Sequence, residues 1–186
     1  MSLGGNIIME FAKVLEERRS IRKYSADKHV TEEQVKQIIE SAILAPSWKN
    51  SQTARYYCIM SDEIRAKFSR ECLPEFNAKN SENAALVVTT FVANRSGFNR
   101  DGIPDNECGN GWGFYDLGLH NENFLLKAKE LGLDTLVMGI RDGEKIREML
   151  QIPENEIIVS VIALGYGETE AVKPKRKTVE DILKFY

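Results

Sequence analysis

Two periods of apolar residues run along the chain. Ile7, Ile8, Phe11, Val14 and Leu15 recur at the spacing of one helix face, which predicts a first helix over residues 6–18. Val35, Ile38, Ile39, Ala42 and Ile43 repeat the pattern, with Thr31 and Gln34 as the two halves of a capping box and Pro46 as the stop. A longer stripe joins Phe114, Leu117, Asn121, Phe124, Leu125, Ala128 and Leu131, after which Gly132 is placed to end the helix in a left-handed conformation. The strand signals are different. Residues 84–93 form a nearly unbroken apolar run, as in a central strand covered on both faces, and 55–60, 133–138 and 156–164 are shorter strands rich in aromatic or β-branched residues. A charged helix over 61–71 bounded by Pro74, and a short helix capped by Asp142 and running to Leu150, complete a mixed order of elements. Residues 165–177 read as an extended basic segment, and Thr178 opens a last short helix.

Composition narrows this picture. A 186-residue chain that is 42% hydrophobic, with eight Phe, six Tyr and two Trp, is of single-domain size and suited to a packed core. No repeat, linker or low-complexity stretch divides it, so one domain is expected over 1–186, with 1–5 a disordered or tag-derived end and 165–186 a tail. Residues 94–113, rich in Gly, Asn and Asp, are expected to cover a substrate site, because long aperiodic connections are more often functional than structural. The net charge of −3 offers no general field for nucleic acid. No apolar run reaches the roughly 20 residues that span a bilayer, and MSLGGNIIME lacks a basic region followed by a long apolar one. Cys58, Cys72 and Cys108 lie far apart without a CxxC pair and read as reduced thiols. A cytoplasmic protein is expected.

Several familiar chemistries fall away. His29 and His120 are isolated and cannot build a zinc cluster; His29 reads as solvent-exposed and His120 as a polar edge of the long helix. The glycine patterns at 109–113 and 165–170 lack the strand, turn and helix that a dinucleotide requires. Two basic clusters remain, Arg18/Arg19/Ser20/Arg22 and Lys173/Lys175/Arg176/Lys177, in an otherwise slightly acidic chain. Alone, each reads as a solvated face sooner than as an anion site; together, guanidinium groups and a hydroxyl suit a terminal phosphate. The segment PSWKNSQ at 46–52 is either a polar loop or a set of donors and acceptors able to read a heterocycle's edge.

In order, RRSIR at 18–22, PSWKNSQ at 46–52, ELGLDTLVMGI at 130–140 and IALGYG followed by KPKRK at 162–177 resemble the FMN-dependent nitroreductase family over nearly the whole chain. The resemblance implies an α+β fold with a mixed, mostly antiparallel sheet flanked by helices, in an intertwined homodimer with FMN at the subunit interface. It implies that Arg18, Arg19, Ser20 and Arg22 hold the phosphate, ribityl chain and pyrimidine edge, with Lys175 and Arg176 completing the phosphate pocket. Pro46, Ser47, Trp48 and Asn50 would reach the flavin from the partner chain, and the backbone of Val137, Met138 and Gly139 would lie along the ring; Asn77 and Lys79 are weaker candidates. The match departs where Thr53-Ala54-Arg55 replaces a Pro and an aromatic, and at Trp48, commonly a small residue. The implied activity is NAD(P)H-driven ping-pong reduction of nitroaromatics, quinones or similar acceptors through flavin N5, from NADH or NADPH. No side chain is singled out as a general acid. A specialised flavoenzyme of the same fold, such as a reductive dehalogenase or a flavin-modifying enzyme, and a non-catalytic FMN-binding protein are the alternatives.

Overall fold

In the computed structural model, which describes residues 10–186, the elements follow in the order α1 (Phe11–Glu17), α2 (Glu32–Ala42), β1 (Ala54–Ile59), α3 (Asp62–Cys72), α4 (Glu75–Asn80), β2 (Ala85–Val92), α5 (Gly111–Glu130), β3 (Asp134–Met138), α6 (Gly143–Leu150), β4 (Glu156–Gly165) and α7 (Val179–Ile182). The strands form one sheet in the order β1-β2-β4-β3, every ladder antiparallel. A parallel bridge from Ser20 to Thr135 adds the chain after α1 to the outer edge of β3. The expected mixed, mostly antiparallel sheet is thus present.

β2 and β4 occupy the middle because their sequences are apolar at both parities. Leu86 and Val88 point to one face with Val161 and Ala163, where Phe68 of α3 and Ile146 of α6 cover them. Val87, Ile162 and Leu164 point to the other, against Ile38 of α2 and Phe124 and Ala128 of α5. All of these side chains are fully or almost fully buried. A register shift between Thr89 and Thr90 interrupts the alternation, and the two hydroxyls are absorbed by Ser160 and Glu156.

Most predicted boundaries hold within a residue or two, for local reasons. Thr31 and Gln34 make both halves of the capping box, at 3.2 and 3.0 Å. Asp142 accepts from the Lys145 N–H at 3.1 Å, and Gly132 stands at φ +75° just past α5. α4 was not expected: Pro74 serves as its N-cap as well as closing the approach from α3. The first helix differs more. Residues 6–9 of its predicted span, like the predicted disordered end at 1–5, lie outside the described residues, and Val14 alone is buried while Phe11 and Leu15 are exposed. No helix among the described residues is long and apolar enough to cross a membrane.

Gly113 lets α5 lie close to the sheet: a Cβ there would stand 2.2 Å from the Phe91 ring. Although alanine is the better helix former by about 1 kcal/mol, Gly113→Ala is expected to destabilise the protein by about 1–3 kcal/mol through overpacking. A urea midpoint equal to or above that of the wild type would show that Phe91 yields freely.

Candidate functional site

The Arg18 to Arg22 segment leaves α1 in an extended conformation and runs beside β3, where the Ile21 N–H donates to the Thr135 carbonyl at 3.0 Å. Alternation then separates the cations. Ile21 turns into the core. Arg19 shares its side and lines a recess of about 650 Å³ with Glu16, Glu17, Asp134, Glu168 and Glu170. Arg18, Ser20 and Arg22 take the opposite parity. Among the described residues none of the three arginines forms an ion pair, whereas Lys23 pairs with Glu168 at 3.2 Å. The four residues predicted as one group therefore divide, with the Arg19 guanidinium donating to the Arg18 carbonyl at 2.6 Å on the recess side.

Since the Thr135 carbonyl faces away from β4, the backbone groups of Val137, two residues on, face the same outer edge. Among the described residues, no backbone hydrogen bond outside the sheet closes that edge at Val137. Val137 is 47% exposed and Ile140 64%, Met138 turns into the core, and nothing lies within 4 Å of where a Gly139 Cβ would be. The result is an open apolar shelf with outward backbone donors, on the same outer edge that the Arg18 to Arg22 segment joins at Thr135. Asn77 is buried under it and donates its amide to the Ile140 carbonyl at 2.9 Å, so it shapes the shelf from below. Lys79 lies on the exposed side of α4, in a recess with Asp62, Arg65 and Glu82.

The PSWKNSQ loop is rigidly built at the other edge of the sheet. Ser47 accepts the Gln52 N–H through its hydroxyl and the Asn50 N–H through its carbonyl, both at 3.0 Å. Lys49, Asn50 and Gln52 all have positive φ, a conformation that costs a non-glycine residue about 1–3 kcal/mol and recurs where function requires it. Pro46 and Asn50 are exposed. Trp48 packs on Trp112 with ring centroids 4.4 Å apart. This loop enters β1 while the shelf lies along β3, three strand spacings or roughly 14 Å across the sheet. A single chain therefore does not bring Ser47 and Asn50 to Val137 and Gly139. Nor do hydrogen bonds join Lys175 or Arg176 to the Arg18 segment: the tail's tie to α1 is Lys173 on Glu16, and residues 172–186 are exposed.

The buried polar residues of α5 went unrecognised in the sequence. Asp116 accepts the Trp48 N–H at 2.9 Å and the Ser96 hydroxyl on the same oxygen. His120, expected at a polar edge, is 4% exposed, and among the described residues neither ring nitrogen has a partner. The available signal was their i, i+4 spacing, in phase with Leu117 and Phe124, which places a carboxylate and an imidazole on the inward stripe of α5. Among the described residues no cluster of His, Cys, Asp and Glu could hold a metal ion.

Comparison with known proteins bears on this geometry. The model of the nitroreductase family matches residues 15–166. A provisionally named NADH dehydrogenase/NAD(P)H nitroreductase of Archaeoglobus fulgidus is 31% identical over 165 residues, covering 87% of each chain. The FMN reductase [NAD(P)H] of Bacillus subtilis is 28% identical, over 93% of this chain and 72% of its own. A solved structure of a provisionally named nitroreductase from Exiguobacterium sibiricum, in complex with FMN, superposes with a TM-score of 0.79 at 23% identity, over 96% of this chain and 98% of that one.

Burial holds the pKa of His120 below its ordinary value of 6.5, more than the nearby Asp116 carboxylate restores. In the unfolded chain the ring protonates at about 6.5, so as pH falls through that value the unfolded state takes up the proton first and stability drops. His120→Gln is expected to flatten the fall in melting temperature between pH 7 and pH 5. An unchanged slope would show that His120 does not govern this limb.

Proposed function

The chain belongs to the nitroreductase family of NAD(P)H oxidoreductases, and we propose that it binds FMN along the outer edge of β3 and works as a homodimer. The observation that carries this reading is the open shelf at Val137 to Gly139, on the edge of β3 that the segment carrying Arg18, Ser20 and Arg22 joins at Thr135. A flat heterocycle can lie on its apolar surface and meet its backbone donors, while a phosphate takes the guanidinium groups and the Ser20 hydroxyl. Lys175 and Arg176, on the exposed tail, remain available to close over that phosphate. The opposite positions of the shelf and the PSWKNSQ loop support two chains per site: the partner subunit's Ser47 and Asn50 complete the flavin's surroundings.

The dimer reading has an energetic motive too. Phe11 and Leu15 of α1, Ile43 and Leu44 after α2, and Phe114 and Tyr115 of α5 are all exposed in one chain. The tail adds Val179, Ile182 and Phe185, equally uncovered. A second copy would remove this apolar surface from water at about 25 cal/mol per Å².

Bound FMN would supply the redox chemistry, taking hydride at N5 from NADH or NADPH and passing electrons, in ping-pong fashion, to a nitroaromatic, quinone or similar acceptor. The protein's own contribution is positional. Arg18 and Arg22 fix one end of the cofactor, and the donors of the β3 edge offset negative charge that develops on its pyrimidine side. The loop over 94–113 limits the space left for the acceptor.

Purified protein incubated with FMN and desalted is expected to keep flavin absorbance bands, to bleach with NADH or NADPH under anaerobic conditions, and to recover on adding a quinone. Protein without flavin bands would overturn the reading. Arg18→Ala is expected to weaken FMN binding about 10- to 100-fold through loss of a charge-assisted hydrogen bond, whereas Arg19→Ala should stay within about threefold, because a rim charge turned from the ligand contributes little. Equal losses in a fluorescence titration would mean the two arginines were assigned to the wrong sides.

A further inference from the structure

We propose that Asp116 is a positioning residue for the electron acceptor, tying the loop that faces the flavin to the loop that bounds the acceptor's space. The inference rests on the FMN-dependent reading given above. Asp116 is 4% exposed, in the second turn of α5, and one carboxylate oxygen receives both the Trp48 N–H, at 2.9 Å, and the Ser96 hydroxyl. Among the described residues no cation pairs with it. A buried carboxylate is costly unless donors converge on it, and here the donors come from two different loops.

The loop over 94–113 is otherwise folded on itself. Asn94 and Asn110 close its base, with the Asn94 N–H donating to the Asn110 side chain at 2.7 Å and the Asn110 amide returning at 2.9 Å. The Asp105 N–H reaches the Gly97 carbonyl at 2.8 Å, and the Trp112 indole N–H reaches the Asn106 side chain at 3.0 Å. These bonds make the loop one hydrogen-bonded unit. Its ties to the PSWKNSQ loop are the Asp116 carboxylate, the Trp48–Trp112 contact at 4.4 Å and the Lys49–Asp105 pair at 2.7 Å. Lys49 is largely exposed in that pair, and solvent screens it. The carboxylate is thus the buried polar tie between the loops.

Trp48 is consequently not free to swing. Its backbone N–H fixes its place in the loop, and its ring is backed by Trp112, against whose edge Tyr115 packs at 5.6 Å. These rings, tilted at 50° and 67° to one another, form a faceted aromatic wall whose indole faces suit planar, electron-poor acceptors, quinones and nitroarenes. Flavin binding rests chiefly on the shelf and guanidinium groups of the other subunit, and the Ser47 and Asn50 part of this loop is held by Ser47's own bonds to the Gln52 and Asn50 N–H groups, so loosening this wall should affect the acceptor before the cofactor.

Both tryptophans of the chain belong to the wall, so intrinsic emission reports on it directly. In the FMN-loaded protein, Asp116→Ala is expected to raise the KM for menadione about tenfold, as loss of a charge-assisted hydrogen bond would. FMN affinity and the rate of bleaching at saturating NAD(P)H should stay within about threefold, a margin small against that effect. Asp116→Asn, which keeps one acceptor oxygen, should fall between, and tryptophan emission should shift to the red in the same order. Ser96→Ala removes one donor only and decides the matter if Asp116→Ala fails to fold, with an expected rise of about threefold in the same KM, as for one neutral hydrogen bond. Unchanged menadione KM in the folded variants, or FMN affinity falling in proportion to it, would overturn the proposal. Wild-type protein that takes up no FMN would instead overturn the underlying reading, and the emission shift in FMN-free variants would still separate the two failures.

Discussion

The burial of β2 and β4 on both faces is the constraint from which the remaining architecture follows. Strands that are apolar at both parities must be covered twice, and α3 with α6 on one side and α2 with α5 on the other do so. Once both faces are closed, no ligand can lie on the sheet. In the proposed reading, chemistry is displaced to the two outer strands, β3 and β1, where among the described residues one edge leaves the Val137 backbone without a partner outside the sheet and the other receives a strained polar loop. The division of the candidate site between opposite edges is thus a consequence of how the core is packed.

Much of this was legible because it is local. The capping box at Thr31 and Gln34, the cap at Asp142 and the left-handed Gly132 are short-range hydrogen-bonding and steric facts, and an apolar run such as 85–92 declares burial on both faces without any partner being known. Strand order is not local. The sequence places PSWKNSQ next to β1 and RRSIR next to α1, but nothing in it states that β1 and β3 are three strands apart. The four basic-cluster residues looked equivalent because their alternation depends on an extended backbone set by the bridge to Thr135. Asp116 and His120 were missed for a related reason. A polar residue on an amphipathic helix is read as outward by default, and only tertiary packing turns these two inward.

The PSWKNSQ loop shows how strain and preorganisation coexist. Lys49, Asn50 and Gln52 hold left-handed conformations that side chains resist, and the cost is offset by Ser47, which binds through both its hydroxyl and its carbonyl. In the proposed site, a loop so fixed gives the Asn50 backbone one conformation before any ligand arrives, which lowers the entropy lost on binding.

The placement of shelf and loop on opposite edges of the sheet also has a genetic meaning. In the proposed dimer every site draws the shelf from one chain and the loop from the other. A subunit damaged only at Arg18 and a subunit damaged only at Asn50 would each be inactive as homodimers, yet their mixed dimer would contain one site made entirely of intact halves and one made entirely of damaged halves. Two alleles that fail separately would then restore activity together, while a chain damaged in both halves would spoil both sites of any dimer it entered.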